Sequence, residues 1–220
     1  MNQKRLFLII FFITIMLQAC SQVYEPVKTP TATIAVVKPA ATSVPSVFEP
    51  LNACDNFFLP METGTTRSYS DGTIFSVGGF VGDDAAGSIV VLRLKPDGSL
   101  EKQYINCSNG KTEIVKIGAL DKDLNEIGSQ TMSEISNGAC ETQVILPEAE
   151  NMIPGKVWQQ CTTSCHVVND QTINIQLGSF KTRRVECEDR SIRWFAPLFG
   201  LLKTCTGDNC SELIEFRAPK

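Results

Sequence analysis

The sequence predicts a mainly β protein, an antiparallel sheet or open half-barrel, carried behind an export signal and a proline-rich tether. Three observations predict it. Short segments of alternating or β-branched apolar residues recur about every ten residues, with Gly, Pro, Asn and Asp between them. No amphipathic helical pattern runs beyond a few turns. Nine cysteines in 220 residues suit an oxidising compartment, where a sheet is stapled by disulfides.

The N-terminus comes first. Lys4 and Arg5 make it positive, and Leu6 to Leu17 form an apolar run broken only by Thr14. That run is shorter than the roughly 20 residues needed to span a hydrocarbon core. With its basic flank it reads as a signal peptide. It ends Leu17-Gln18-Ala19-Cys20, which resembles the bacterial lipobox. The resemblance implies cleavage after Ala19, a diacylglyceryl thioether on Cys20 and acylation of the new N-terminus. Gln18 departs from the small or aliphatic residue usual at its place. The competing reading is an ordinary signal peptide with Cys20 as a structural thiol. Two or three acyl chains hold a protein on a membrane where one does not. Residues 1–19 are therefore read as a lipoprotein signal peptide and 20–50 as the lipidated Cys20 with its linker. Pro26, Pro30, Pro39, Pro45 and Pro50 stiffen that linker, which has too few large apolar groups to fold on its own. Losing residues 1–19 removes Lys4 and Arg5 and no acid, taking the formal net charge from −4 to −6. Such a body is weakly repelled by an anionic membrane, so the lipid must hold it there.

Residues 51–220 form the β-rich globular domain. Strands are expected over 73–77, 88–94, 100–105, 112–120, 142–146, 156–160, 167–177, 180–186, 192–195 and 213–217. Pro96-Asp97-Gly98 marks a turn. Gly78-Gly79 inside a strand pattern suggests a bulge or a close backbone approach. A short helical turn fits 132–136. The run Trp194 to Leu202 reads as one core strand bent at Pro197, or, if exposed, as a patch for a lipid or protein partner. Leu59-Pro60 before Gly64 and Tyr69, and Leu146-Pro147 before Gly155 and Trp158, are a faint internal echo.

Three further stretches carry a resemblance. Phe58-Leu59-Pro60-Met61-Glu62-Thr63-Gly64-Thr65-Thr66-Arg67-Ser68-Tyr69 resembles the PLxxGxxWxY opening of uncharacterised bacterial envelope lipoproteins. Leu177-Gly178-Ser179-Phe180 resembles their aGtF turn. Trp194 to Lys203 resembles their WyaPGvGlvk signature. Arg67 stands where an aromatic is usual, and Leu198 replaces a glycine. The resemblance implies a β-rich fold, compared in places with the LolA/LolB-like half-barrel that cups acyl chains, and assigns no catalytic residue.

Without Cys20, the disulfide candidates are Cys54, Cys107, Cys140, Cys161, Cys165, Cys187, Cys205 and Cys210. Eight cysteines allow 105 connectivities. The expected pairing closes a hairpin at Cys205–Cys210 and another at Cys161–Cys165, with Cys107–Cys140 and Cys54–Cys187 as longer bridges. Cys161 and Cys165 followed by His166, the only histidine, also resemble a rare spacing of the c-type haem motif. Strand-like flanks favour the disulfide, and a zinc site built on the same three residues lacks a fourth ligand. Asp83-Asp84 and Asp121-Lys122-Asp123 fit solvated loops better than a Ca²⁺ site. Ser76, Ser88 and Ser179 lack a nucleophile-elbow context. The negative charge excludes a phosphate-held nucleic-acid binder. No cofactor, metal site or catalytic residue is expected. The expected role is non-enzymatic: a lipid-anchored protein of the bacterial cell envelope, with its body on the extracytoplasmic side, binding a partner protein or an apolar ligand. The alternatives are a membrane-tethered c-type cytochrome and an envelope hydrolase using carboxylates such as Glu186 and Glu188.

Overall fold

A computed structural model describes residues 50–219. Cys20, the signal peptide and all but the last residue of the linker lie outside the described residues. The chain forms thirteen strands: β1 (Thr66–Tyr69), β2 (Ile74–Gly82), β3 (Ala86–Leu94), β4 (Leu100–Ser108), β5 (Lys111–Leu120), β6 (Glu126–Thr131), β7 (Gln143–Leu146), β8 (Val157–Gln160), β9 (Thr163–Ile175), β10 (Gly178–Cys187), β11 (Ser191–Ala196), β12 (Gly200–Thr206) and β13 (Asn209–Arg217). A single turn of helix, α1 (Met132–Ile135), follows β6 behind a Thr131 capping box, and a 3₁₀ turn covers Ala149–Asn151. Among the described residues no helix is long and apolar enough to cross a membrane.

All strand pairs are antiparallel, in the order β6-β5-β4-β3-β2-β1-β13-β12-β11-β10-β9-β8. β7 pairs with the part of the β5 edge that β6 leaves free. The sheet is therefore two meanders, β1 to β6 and β8 to β13, joined where β1 lies beside β13. It curls until both meanders share one core. Ile89 and Ile105 from the first meander and Val167 and Val185 from the second are each no more than 1% exposed and belong to one cluster. Each such side chain contributes about 1.5–3 kcal/mol by leaving water.

The echo seen in the sequence has a structural counterpart. Gly64 N–H donates to the Val77 carbonyl, and Val77 N–H to that of Thr65, both at 2.9 Å. Gly155 N–H donates to the Val167 carbonyl at 2.8 Å, and Val167 N–H to that of Lys156 at 2.9 Å. The same reciprocal pair of bonds opens each meander. The two junctions between meanders differ, however. β13 and β1 exchange a ladder, whereas β7 and β8 lie side by side without one.

Local sequence explains the elements. Asn109 and Gly110 both hold positive φ, as a two-residue hairpin turn between β4 and β5 requires. The β2–β3 register shifts between Val77 and Phe80, at Gly78-Gly79, and a Cβ on Gly78 would lie 2.9 Å from the Val90 carbonyl oxygen. The stretch Trp194 to Leu202 corrects the expectation of one bent strand. It is the end of β11, a turn, and the start of β12. Pro197 has no N–H with which to extend the ladder. The left-handed backbone at Leu198 (φ 67°) and Gly200 (φ 90°) then reverses the chain.

The segment ahead of β1 packs into the core rather than over it. Asn56 is 1% exposed; its side-chain amide donates to the carbonyls of Gly110 (2.9 Å) and Pro147 (2.8 Å). Cys54 is bonded to Cys107 of β4.

Candidate functional site

The inward faces of the two meanders enclose a partly open cavity of about 320 Å³. Its walls follow the two-residue period of a strand. β1 supplies Arg67 and Tyr69, β2 Phe75 and Val77, β3 Val91 and Arg93, and β4 Gln103 and Ile105. β5 supplies Ile114 and Ile117. These fall on one face because the β4–β5 register shifts between Tyr104 and Ile105, which inserts an extra residue in β5. β7 adds Gln143 and Ile145, β8 Gln160, β11 Arg193 and Phe195, and β12 Leu201, while Leu59 and Met61 reach in from the segment before β1.

The lining is apolar apart from Tyr69, three arginines and three glutamines, and it contains no carboxylate, histidine, serine or cysteine. Arg67 is 3% exposed. Its Nε donates to the Phe199 carbonyl at 2.9 Å and its Nη2 to the Pro60 carbonyl at 2.6 Å, and the guanidinium lies over the Phe216 ring at 5.5 Å. Burial pushes its pKa below the usual arginine value. Arg193 is likewise shifted down by burial, partly offset by the charge of Asp189. Among the described residues neither guanidinium forms an ion pair within 4.0 Å. Arg93 sits 3.7 Å from Glu101, a carboxylate also held by Lys95 at 2.5 Å, and its buried Nε has no hydrogen-bond partner. Arg93 lies directly across from Phe75 in the β2–β3 ladder and stacks on its ring at 5.4 Å. The Tyr69 hydroxyl donates to the Leu201 carbonyl at 2.8 Å, and burial raises its pKa to about 12, so the phenol is neutral.

A second depression, about 390 Å³, lies along 170–172 and 181–183 with Phe57, Phe58 and Pro197. It is larger but more open, and its charged pair Arg183–Asp170 is already joined. The first cavity, where Arg67 and Arg193 make no ion pair within 4.0 Å among the described residues, is the better candidate.

The cysteines form four disulfides: Cys54–Cys107, Cys140–Cys161, Cys165–Cys187 and Cys205–Cys210. Only Cys205–Cys210 matches the expected pairing; it faces across the β12–β13 hairpin. The other three expected bridges are corrected. The β8–β9 turn puts Cys161 in the turn itself, at φ 63°, and sets Cys165 opposite Trp158, so the two do not meet. Cys165 lies instead opposite Cys187 in the β9–β10 ladder, with Cα atoms 4.0 Å apart. Cys161 closes on Cys140, and Cys107 on Cys54. With Cys161 and Cys165 in different bridges, neither sulfur is free for a haem thioether. His166 is exposed, while its neighbour Cys165 is fully buried.

The remaining candidates stand apart from the cavity. Glu186 pairs with Arg184, and Glu188 accepts the Ser164 N–H at 3.1 Å. Neither lines a cavity described above. Asp83 accepts the N–H groups of Ala85 and Ala86, and Asp121 those of Asp123 and Asn125, all at 2.9 Å. Those bonds hold both carboxyls below the usual range and fix two hairpin turns. Sequence reasoning misses the arginines as site residues, although the signal is present: Ile89, Val91 and Arg93 form one inward series, and so do Arg67 with Tyr69 and Arg193 with Phe195.

No family model matches the chain, and no curated protein matches it. Among solved structures, a protein from Bacteroides fragilis, classed as exported and with a YmcC-like fold, superposes with a TM-score of 0.44 at 15% identity, over 74% of this chain and 100% of that one. A protein from Parabacteroides distasonis, classed as a lipoprotein, gives a TM-score of 0.37 at 12% identity, over 74% of this chain and 99% of that one. Similarity at this level carries no functional argument.

Proposed function

We propose that this protein is a lipid-anchored, non-enzymatic component of the bacterial cell envelope whose β body holds an apolar ligand inside the curled sheet. Cys20 carries the anchor, residues 21–50 act as the tether, and the body stands on the extracytoplasmic side. The observation that supports ligand binding is the cavity: about 320 Å³, walled on several strands by side chains such as Val77, Val91, Ile105, Ile114 and Phe195. That volume lies at the low end of the range for small-molecule sites, about 300–1,000 Å³. A lining without nucleophile or carboxylate suits holding a molecule better than transforming it.

Two measurements test the reading. The intact mass of the processed protein, before and after reduction, reports the lipid on Cys20 and the number of bridges together. Binding of the neutral dye Nile red to the soluble body reports the cavity. Ile117→Trp fills the space and is expected to lower Nile red affinity at least tenfold with the disulfides intact. Unlipidated Cys20, or dye binding indifferent to Ile117→Trp, overturns the corresponding half of the proposal.

A further inference from the structure

Resting on the reading of this cavity as a ligand site, we infer that its ligand is an anionic amphiphile, an acyl chain ending in a carboxylate or phosphate that is received by Arg93 and Arg193 beside Arg67. The protein as a whole is acidic, at −4, yet the cavity wall carries three cations and no acid. Cations gathered there against the overall charge come from three strands, β1, β3 and β11, at inward positions of the ladder.

The three differ in availability. Arg67 is locked by two carbonyls, so it supplies a fixed positive charge more than a free donor. Arg93 holds a buried Nε–H without an acceptor, and its carboxylate neighbour Glu101 is shared with Lys95. Arg193 makes no ion pair within 4.0 Å among the described residues, and Asp189 is the carboxylate whose charge acts on it. Arg93 and Arg193 are half-buried and only partly balanced by Glu101 and Asp189, and an entering carboxylate or phosphate adds charge-assisted bonds, with the free Nε–H of Arg93 as the first donor. Two carboxylates oppose it, Glu101 across the ladder from Arg93 and Asp189 acting on Arg193, but the three guanidiniums outnumber them and Lys95 shares Glu101. Tyr69 is a neutral phenol, and the amides of Gln103, Gln143 and Gln160 are donors as well as acceptors. Ile105, Ile114 and Phe195 line the same space and suit the chain.

The test compares ligands of one chain length with different heads: laurate, dodecyl phosphate and 1-dodecanol. Each displaces Nile red from the mature chain carrying Cys20→Ala, which keeps the whole described body with its core and four disulfides. Laurate or dodecyl phosphate, or both, should bind at least tenfold more tightly than dodecanol, and added salt should shrink the gap. Whichever of the two binds better identifies the head group. Arg193→Gln should abolish the preference while leaving dodecanol affinity within twofold, and Arg193→Lys should restore part of it. Arg93→Gln provides a second, independent loss. If dodecanol binds as well as the anions, the charge inference fails and the apolar cavity stands. If none of the three displaces the dye, the ligand reading fails with it.

Discussion

The Nε–H of Arg67 and the carbonyl of Phe199 meet at 2.9 Å across 132 positions of sequence. This bond fixes a buried guanidinium of β1 against the β11–β12 turn, and so ties the first strand of one meander to the second meander.

The turn that presents this carbonyl depends on Gly200. Its φ is 90°, and a Cβ there would lie 3.2 Å from both Arg67 Nε and Leu59 Cδ1. Gly200→Ala therefore combines backbone strain with displacement of the guanidinium. A loss of about 1–3 kcal/mol is expected, read from the urea midpoint of the oxidised protein. A midpoint equal to the parent's would show that neither contact matters.

Leu198 offers the opposite case. It holds φ 67° in the same turn, and its N–H donates to the Phe57 carbonyl at 2.8 Å. A left-handed non-glycine residue costs about 1–2 kcal/mol, and glycine gives back about 0.5–1 through the unfolded chain. Leu198→Gly should stabilise by no more than about 1.5 kcal/mol. Clear destabilisation in urea would mean that the packing of the half-buried Leu198 side chain outweighs its strain.

Tyr69 gives a pH signature. Burial favours the neutral phenol and raises its pKa from 10.0 to about 12, against the opposing charge of Arg67. The unfolded chain releases this proton first, so the stability due to Tyr69 is complete below pH 10.0 and is lost as pH rises to about 12. Tyr69→Phe should flatten the fall in stability across that window, at the expense of the hydroxyl's bond to Leu201, about 0.5–1.5 kcal/mol. Parallel profiles for parent and variant would rule out a titrating Tyr69.

Most strands with one buried face are legible in the sequence; β1 is not, because it is four residues long and its buried positions are Arg67 and Tyr69, which break an apolar alternation. β3 alternates in burial from Ser88 to Val91, and the residue pattern alone shows it. β6 escapes notice because all six of its residues are exposed, leaving no alternation to read. The disulfides are misread when local spacing is weighed ahead of register. The β9–β10 hairpin register, with its shift between Arg184 and Val185, sets Cys165 opposite Cys187, and such a shift is not read from cysteine spacing. The cavity is hidden for a related reason. A charged side chain is ordinarily assigned to the solvent face, yet Arg93 continues the inward series of Ile89 and Val91. Its destination becomes clear only once β3 is placed beside β2 and β4.

The last prediction concerns the open junction. β7 and β8 are the counterparts of β13 and β1 between meanders, but no ladder joins them. Cys140, shortly before β7, is bonded to Cys161, directly after β8, and Gln143, Ile145 and Gln160 on these two strands line the cavity. The bridge thus stands where backbone hydrogen bonds are absent. It closes a stretch with a sequence separation of 21, for which chain entropy gives about 3 kcal/mol. The double variant Cys140→Ala with Cys161→Ala should lose stability of that order and release Nile red faster, since the wall between β7 and β8 is then held by side-chain packing alone. Cys205→Ala with Cys210→Ala removes a bridge across an already hydrogen-bonded hairpin, and should leave dye release near the parent rate. Equal release from both double variants would show that the Cys140–Cys161 bridge plays no part in closing the cavity.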